Sequence, residues 1–390
     1  MLWQIETDEA KDVIVDLQNR SHIRVCRASE GVCSVEIDPV FHNFLIGSFE
    51  RQRTNSGQGG DTASVMAALM LSSVPYIETS DSSKVSSLVI AAMKALRWSL
   101  DMGAKSSDII GRLKIKIGDD VFNSTYGPRK MTCLHVLAES DFLPDIKKLN
   151  GLGLNTKRLN GEGLSILELA GLNGRLESVA NLVQFEGFEL DSIGADDGLT
   201  PLLRAAQKGH VETVKCLLCA GANVEIQTSH QETSLFLAAE AGNVKVVKVL
   251  LEWKAGSDIP HENGETPLCA AAKAGHTEVV KSLILGRKAN VNQQTNEGAT
   301  PMWLAARGNH TDVCKLLLEN DAQLKLQHKD GSTPLWIAAS SGNIEIVKLL
   351  HSAGASLNTP NEDGTTPLFA AEANGREPTA ELLRSLGANN

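Results

Sequence analysis

Apolar residues in the last two thirds of the chain recur at helical spacing. Val211, Val214, Leu217 and Leu218 fall on one helical face, as do Val244, Val247, Leu250 and Leu251, and again Ile344, Val347 and Leu350. The first third follows another rhythm. Ile23 and Val25, then Cys33, Val35 and Ile37, alternate with polar residues on either side of Ser29-Glu30-Gly31, which predicts a β-hairpin over 22–38. Val13 to Val15 predicts a further strand, as do Leu113, Ile115 and Ile117 alternating with Lys114 and Lys116. Thr62 to Val74 and Ser83 to Leu100 are rich in apolar residues and predict helices, preceded by a polar, Gly-rich loop from Arg51 to Asp61.

Between the amphipathic stripes a short motif returns. Thr132, Ser165, Thr200, Thr233, Thr266, Thr300, Thr333 and Thr366 are separated by 33, 35, 33, 33, 34, 33 and 33 residues. Most are followed by Pro and an apolar residue, as in Thr200-Pro201-Leu202 and Thr333-Pro334-Leu335. A hydroxyl at this point caps a helix by accepting an orphaned backbone N–H, and proline just inside the first turn lacks only an N–H that would go unused. Paired alanines follow, then a glycine nine residues after the cap at 174, 209, 242, 275, 342 and 375. Glycine there is a left-handed stop, and Asn309 replaces it as the next-best residue. Asp141 is a poorer substitute in the first unit. One unit therefore reads as helix, turn, helix and a finger built on Asp-Gly, Asn-Gly or Glu-Gly.

This unit resembles the ankyrin repeat in its period, its Thr-Pro-Leu cap, its alanine pair, its Gly-His step (Gly209-His210, Gly275-His276) and its Ala-Gly-Ala exit. The resemblance covers about residues 130–390, with units near 130–162, 163–197, 198–230, 231–263, 264–297, 298–330, 331–363 and 364–390. It implies a mainly α fold: a solenoid of about eight helix-turn-helix units over 127–390. The strand and helix patterns before it, which resemble no family, point to a small α+β or capping region over 1–126. The family's consensus histidine after Thr-Pro-Leu survives only at His135. Glu168, Leu203, Phe236, Cys269, Trp303, Trp336 and Phe369 stand in its place. Apolar packing is expected to substitute for the hydrogen bond that histidine makes between repeats.

The resemblance further implies a non-catalytic scaffold or adaptor that binds a partner protein on its concave face. Carried onto this chain, the partner-contacting positions include Asp196, Asp197, Lys208, Glu232, Glu240, Glu262, Glu265 and Lys273. They continue through Glu297, Arg307, Lys329, Asp330, Ser340, Glu362 and Asp363. Ten acidic residues there stand against four basic ones, so a partner with a basic segment is expected. Solvated fingers are also acidic without any partner. Trp303 and Trp336, with Phe236 and Phe369 in register, are either an exposed anchor strip or packing between repeats, and packing is the simpler reading.

The whole chain has 390 residues and a formal charge of −10, from 37 basic and 47 acidic residues, which gives no basic footprint for nucleic acid. The longest uncharged stretch, Thr62 to Ile77, is shorter than a membrane span. Seven cysteines and an acidic start without an apolar run suit an intracellular, cytoplasmic protein, a reading that leaves the nucleus open. No catalytic, metal or cofactor site is read, and oligomeric state is left open. Gly57-Gln58-Gly59-Gly60 lacks the Gly-Lys-Ser/Thr that a phosphate loop needs. Cys216 and Cys219 fall inside a repeat helix, and His22, Cys26, Cys33 and His42 match no common zinc spacing. The rival to an adaptor is an enzyme or sensor seated in residues 1–126, with the repeats as its targeting arm.

Overall fold

The computed structural model describes residues 23–27, 33–37, 125, 129–139, 155–184, 188–194 and 197–389. The chain divides into two compact units: Met1–Ile166 with Ala180–Phe188, and Leu167–Val179 with Glu189–Asn390. In the first, β1 (Ile23–Arg27) pairs antiparallel with β2 (Cys33–Ile37), Val25 opposite Val35, which is the hairpin expected from the alternation. The expected strands at 13–15 and 113–117, the helices at 62–74 and 83–100, the loop at 51–61 and the stop at Asp141 lie outside the described residues.

Helix α1 (Cys133–Glu139) also belongs to the first unit. Thr132 Oγ1 accepts from the His135 N–H at 3.4 Å and lies 2.7 Å from His135 Nδ1. The other ring nitrogen of His135 is 3.1 Å from Leu164 O, so the imidazole ties the helix start to the finger that follows it. Burial holds this histidine below its ordinary pKa, and the Arg129 charge adds to the effect.

The remaining helices come in pairs. They are α2 (Ile166–Leu172) with α3 (Leu176–Val183), α4 (Pro201–Lys208) with α5 (Val211–Cys219), and α6 (Ser234–Glu240) with α7 (Val244–Glu252). Next come α8 (Pro267–Ala274) with α9 (Thr277–Arg287), and α10 (Pro301–Arg307) with α11 (Thr311–Leu318). The series ends with α12 (Pro334–Ser341) and α13 (Ile344–Ser352), then α14 (Pro367–Ala373) and α15 (Glu377–Ser385). From α4 onward each inner helix packs on the next inner helix and each outer helix on the next outer helix. That is a one-dimensional stack, with the core spread along its length.

The recurring threonines set the inner helices. Thr200, Thr233, Thr266, Thr300, Thr333 and Thr366 have extended backbone, and each hydroxyl accepts from the N–H three residues on, at 3.1–3.3 Å. The alanine pairs 205–206, 238–239, 271–272, 305–306 and 338–339 are fully buried, which lets neighbouring helices approach closely. At Gly242 the stop is required twice over. Gly242 has φ +76°, and a Cβ there would sit 2.8 Å from the His276 ring. That ring belongs to the next unit, where its Nε2 meets Glu240 O at 3.0 Å. His210 and His310 make the same bond to Leu172 O and Lys273 O, and Asn243 and Asn343 make it with an amide. These residues precede the outer helices but do not cap them with their side chains; they clamp one unit to the one before. Asn309 takes φ +61°, as expected of the residue that replaces glycine. Pro378 sits in the first turn of α15, which tolerates it.

Candidate functional site

Each finger closes on its own backbone. The His261 N–H donates to Glu265 O and the Gly264 N–H to His261 O, both at 2.8 Å, and turns starting at Thr228, Thr295, His328 and Asn361 close similarly. The first side chain of the turn holds the far end. Thr228 Oγ1 accepts from the N–H groups of His230 and Glu232, Thr295 Oγ1 from Ala299, and Asn361 Oδ1 from Thr365. Successive fingers are joined by backbone bonds. Glu262 N–H donates to His230 O (3.0 Å), Asn296 N–H to Asn263 O (2.9 Å), Lys329 N–H to Glu297 O (2.8 Å) and Glu362 N–H to Asp330 O (2.8 Å). The tips therefore stand in a fixed row, one per unit.

The positions carried over from the resemblance fall on this row and on the ends of the inner helices. Asp196 lies outside the described residues. Lys208, Glu240, Glu262, Lys273, Glu297, Arg307, Lys329, Asp330, Glu362 and Asp363 are exposed. Several meet one another: Lys273 Nζ lies 3.0 Å from Glu265, and Lys329 Nζ 3.0 Å from Glu297 of the preceding finger. Others are spent on the framework. Glu232 accepts from Thr228 Oγ1 at 2.9 Å, Ser340 Oγ accepts from Asn374 Nδ2 at 3.2 Å, and Asp197 pairs with Arg204 at 2.8 Å. Partial burial works against ionisation of Asp330, but hydrogen bonds from Ser332 and His328 outweigh it and keep the carboxyl below its ordinary pKa. The nine described acidic residues of the set face four basic ones, a formal net of −5.

The position that the consensus gives to histidine touches the following finger in several forms. Glu168 Oε1 accepts from the Gly194 N–H at 3.2 Å. Phe236 stacks on His261 with centroids 5.2 Å apart. Trp303 stacks on His328 at 4.6 Å and donates its indole N–H to Ser332 Oγ at 2.9 Å; Trp336 donates to Thr365 O at 2.9 Å. The expectation of purely apolar substitution is thus corrected. Leu203 and Phe236 do share an apolar cluster, but both tryptophans keep a hydrogen bond across units because an indole carries a donor at its far edge. Trp303 is only 4% exposed and Trp336 half-buried, so the exposed-strip reading fails and packing holds. Phe369 alone of the aromatic set is exposed. Arg307 lies over the Trp303 ring at 5.6 Å.

Sequence reasoning passed over two features. Arg204 on α4 is buried, 2.8 Å from Asp197 and 3.7 Å from the fully buried Glu168. Two opposite charges on successive inner helices, in otherwise apolar surroundings, were the available signal. The finger histidines were the second: His230 pairs with Glu262 at 3.2 Å and stacks toward His261, while His328 pairs with Asp330 at 3.0 Å. Cys216 is half-buried in α5, and burial together with the neighbouring Cys219 pushes its thiol up, away from reactivity. Cys314 is pushed up to about 12 by burial. Among the described residues no group of three or more His, Cys, Asp or Glu is placed to hold a metal ion, and no helix is long and apolar enough to cross a membrane. The side chains of His22, Cys26, Cys33 and His42, Gly57 to Gly60, and any pocket in residues 1–126, lie outside what is described.

Comparison of the chain with curated proteins gives no match. The sequence model of the family described as "Ankyrin repeats (3 copies)" matches three overlapping stretches, residues 167–262, 235–328 and 321–390. Repeats of that family are in general protein–protein interaction modules and typically not catalytic. With more than half of its length matched, and with capped inner helices, clamped glycine stops and bonded fingers in the same residues, the chain belongs to the ankyrin repeat family.

Proposed function

We propose that this protein is a non-catalytic scaffold or adaptor whose fingers and inner-helix ends grip a partner protein along a Lys- or Arg-rich segment. The observation that carries the reading is the row of acidic tips. Glu262, Glu297, Asp330 and Glu362 come from successive units and are held in line by the backbone bonds between fingers. An acidic row, into which Lys329 is paired at Glu297, favours a complementary basic chain and disfavours nucleic acid. A cytoplasmic setting suits the free thiols of Cys216, Cys219, Cys269 and Cys314, the last two buried, and leaves the nucleus open.

The test is a charge reversal at three tips, two of which also give up an exposed contact between fingers, Glu262 with His230 and Glu297 with Lys329. The chain with E262K, E297K and E362K should bind a labelled Lys/Arg-rich peptide about tenfold more weakly than the unaltered chain at low ionic strength. The difference should shrink once the salt is raised toward about 1 M, where screening reaches about 3 Å. Equal binding by both proteins, at every ionic strength, would remove the basic segment from the account.

A further inference from the structure

The backs of the outer helices carry their own periodic charge. Lys215, Lys248, Lys281, Lys315 and Lys348 occupy one position in five successive units. In three of them an acidic residue one turn earlier neutralises the lysine: Glu212 at 3.1 Å, Asp312 at 3.1 Å and Glu345 at 2.8 Å. The pattern of residues breaks at α7 alone. In α7 the acidic position holds Lys245, so Lys245 and Lys248 stand on one exposed face. In α9 Glu278 holds the acidic position, but among the described residues it forms no ion pair with Lys281. Lys254, Arg287 and Lys288 follow at the exits of these same two helices, all exposed.

Six basic residues thus face two acidic ones, Glu252 and Glu278, on a pair of helices packed against each other. None of the six is ion-paired among the described residues; the Arg287 guanidinium reaches only Leu251 O at 3.4 Å. Two of the most exposed large apolar side chains of the described residues lie on the same helices, Leu285 at 68% on α9 and Trp253 at 44% at the end of α7. The backbone bears a cost here as well. Lys254 (φ +66°) and Lys288 (φ +52°) take the left-handed conformation that Gly221, Gly354 and Gly387 supply in other units. A lysine gains nothing locally from that geometry, unlike the short polar Asp321 in the unit that follows.

We propose that the outer faces of α7 and α9 form a second docking surface, for an acidic protein segment with an apolar anchor residue that covers Trp253 and Leu285. Charge complementarity selects the occupant, and the extent of the patch selects its size. The backs of the flanking units are not basic: Glu212 and Asp312 offset Lys215 and Lys315, and Glu319 and Asp321 are exposed besides. A flat anionic bilayer or a nucleic-acid rod would meet those carboxylates too, whereas a short segment covers only the two basic units. This surface takes the opposite charge from the finger row, so its test stands apart from that of the adaptor reading.

The experiment is fluorescence anisotropy on the full chain with a labelled peptide of Asp and Glu around one central Phe. The K245E/K248E/K281E chain should bind about tenfold more weakly, and L285S a few-fold more weakly at unchanged salt dependence, with far-UV circular dichroism unaltered. The finger reversal E262K/E297K/E362K should leave binding of this acidic peptide undiminished. Absence of peptide binding, or equal binding by the lysine-reversed chain, would overturn the proposal. So would sedimentation with phosphatidylserine vesicles in place of peptide binding, since that assigns the patch to a membrane. Salt-sensitive self-association abolished by the same lysine reversals would overturn it in favour of a second copy of the chain.

Discussion

At the scale of single residues, the polar groups inside the stack decide which unit sits on which. Arg204 lies between Glu168 and Asp197, and both it and Glu168 are shut off from solvent. Removing one partner of a buried pair leaves the other charge desolvated and unmatched, so Arg204→Ala should cost about 3–5 kcal/mol in urea unfolding. Neutralising Glu168 as well, R204M with E168Q, keeps an acceptor for the Gly194 N–H and should recover much of that loss; a double variant no better than R204M alone would mean the pair is not coupled. His135 gives a pH dependence. Unfolded, it titrates near 6.5, and burial lowers that value in the fold. Between the two values the unfolded chain binds more protons, so the stabilisation is complete above about pH 6.5 and is lost as the pH falls through that window. Protection factors for residues 132–139, corrected for intrinsic exchange, should therefore drop between about pH 7.5 and about pH 5.5. A flat profile would contradict the buried neutral imidazole.

Helices and fingers were legible in the sequence to different depths. The threonine period placed the inner-helix starts, because a cap, a proline and an apolar stripe are local signals that read without tertiary knowledge. The role of His210, His276 and His310 was legible only as framework; that their rings fill the space above the previous unit's glycine required the stack itself. Trp303 shows the same limit from the other side. Its position in the repeat was plain, but its burial depends on His328 and Ser332 of the next finger, 25 and 29 residues away in sequence. Leu335, 1% exposed on α12, tests the register of the element. Leu335→Ala should destabilise the protein by about 2–5 kcal/mol, with hydrogen exchange rising first in α12, α13 and their neighbours. A loss of a few tenths of a kcal/mol would mean this side chain is not core.

Across the array as a whole, charge is sorted by face. Acidic tips line the fingers, while the unpaired lysines sit on α7 and α9. The first was read from the sequence because the family resemblance directs attention to the fingers. The second was missed although its period of 33 and 34 residues is as regular as that of the caps. A lysine on a helix back reads as a solvated face until the ion pairs of its neighbours are seen and its own is found missing. Units that touch only their neighbours also keep binding effects local. The central claim is that the finger row grips a basic polypeptide. Hydrogen–deuterium exchange of the full chain, with and without a saturating Lys/Arg-rich peptide, tests it most directly. Protection should appear over the fingers at 228–232, 261–265, 295–299, 328–332 and 361–365 and leave the outer helices unchanged. Protection confined to the outer helices, or none at saturation, would contradict it.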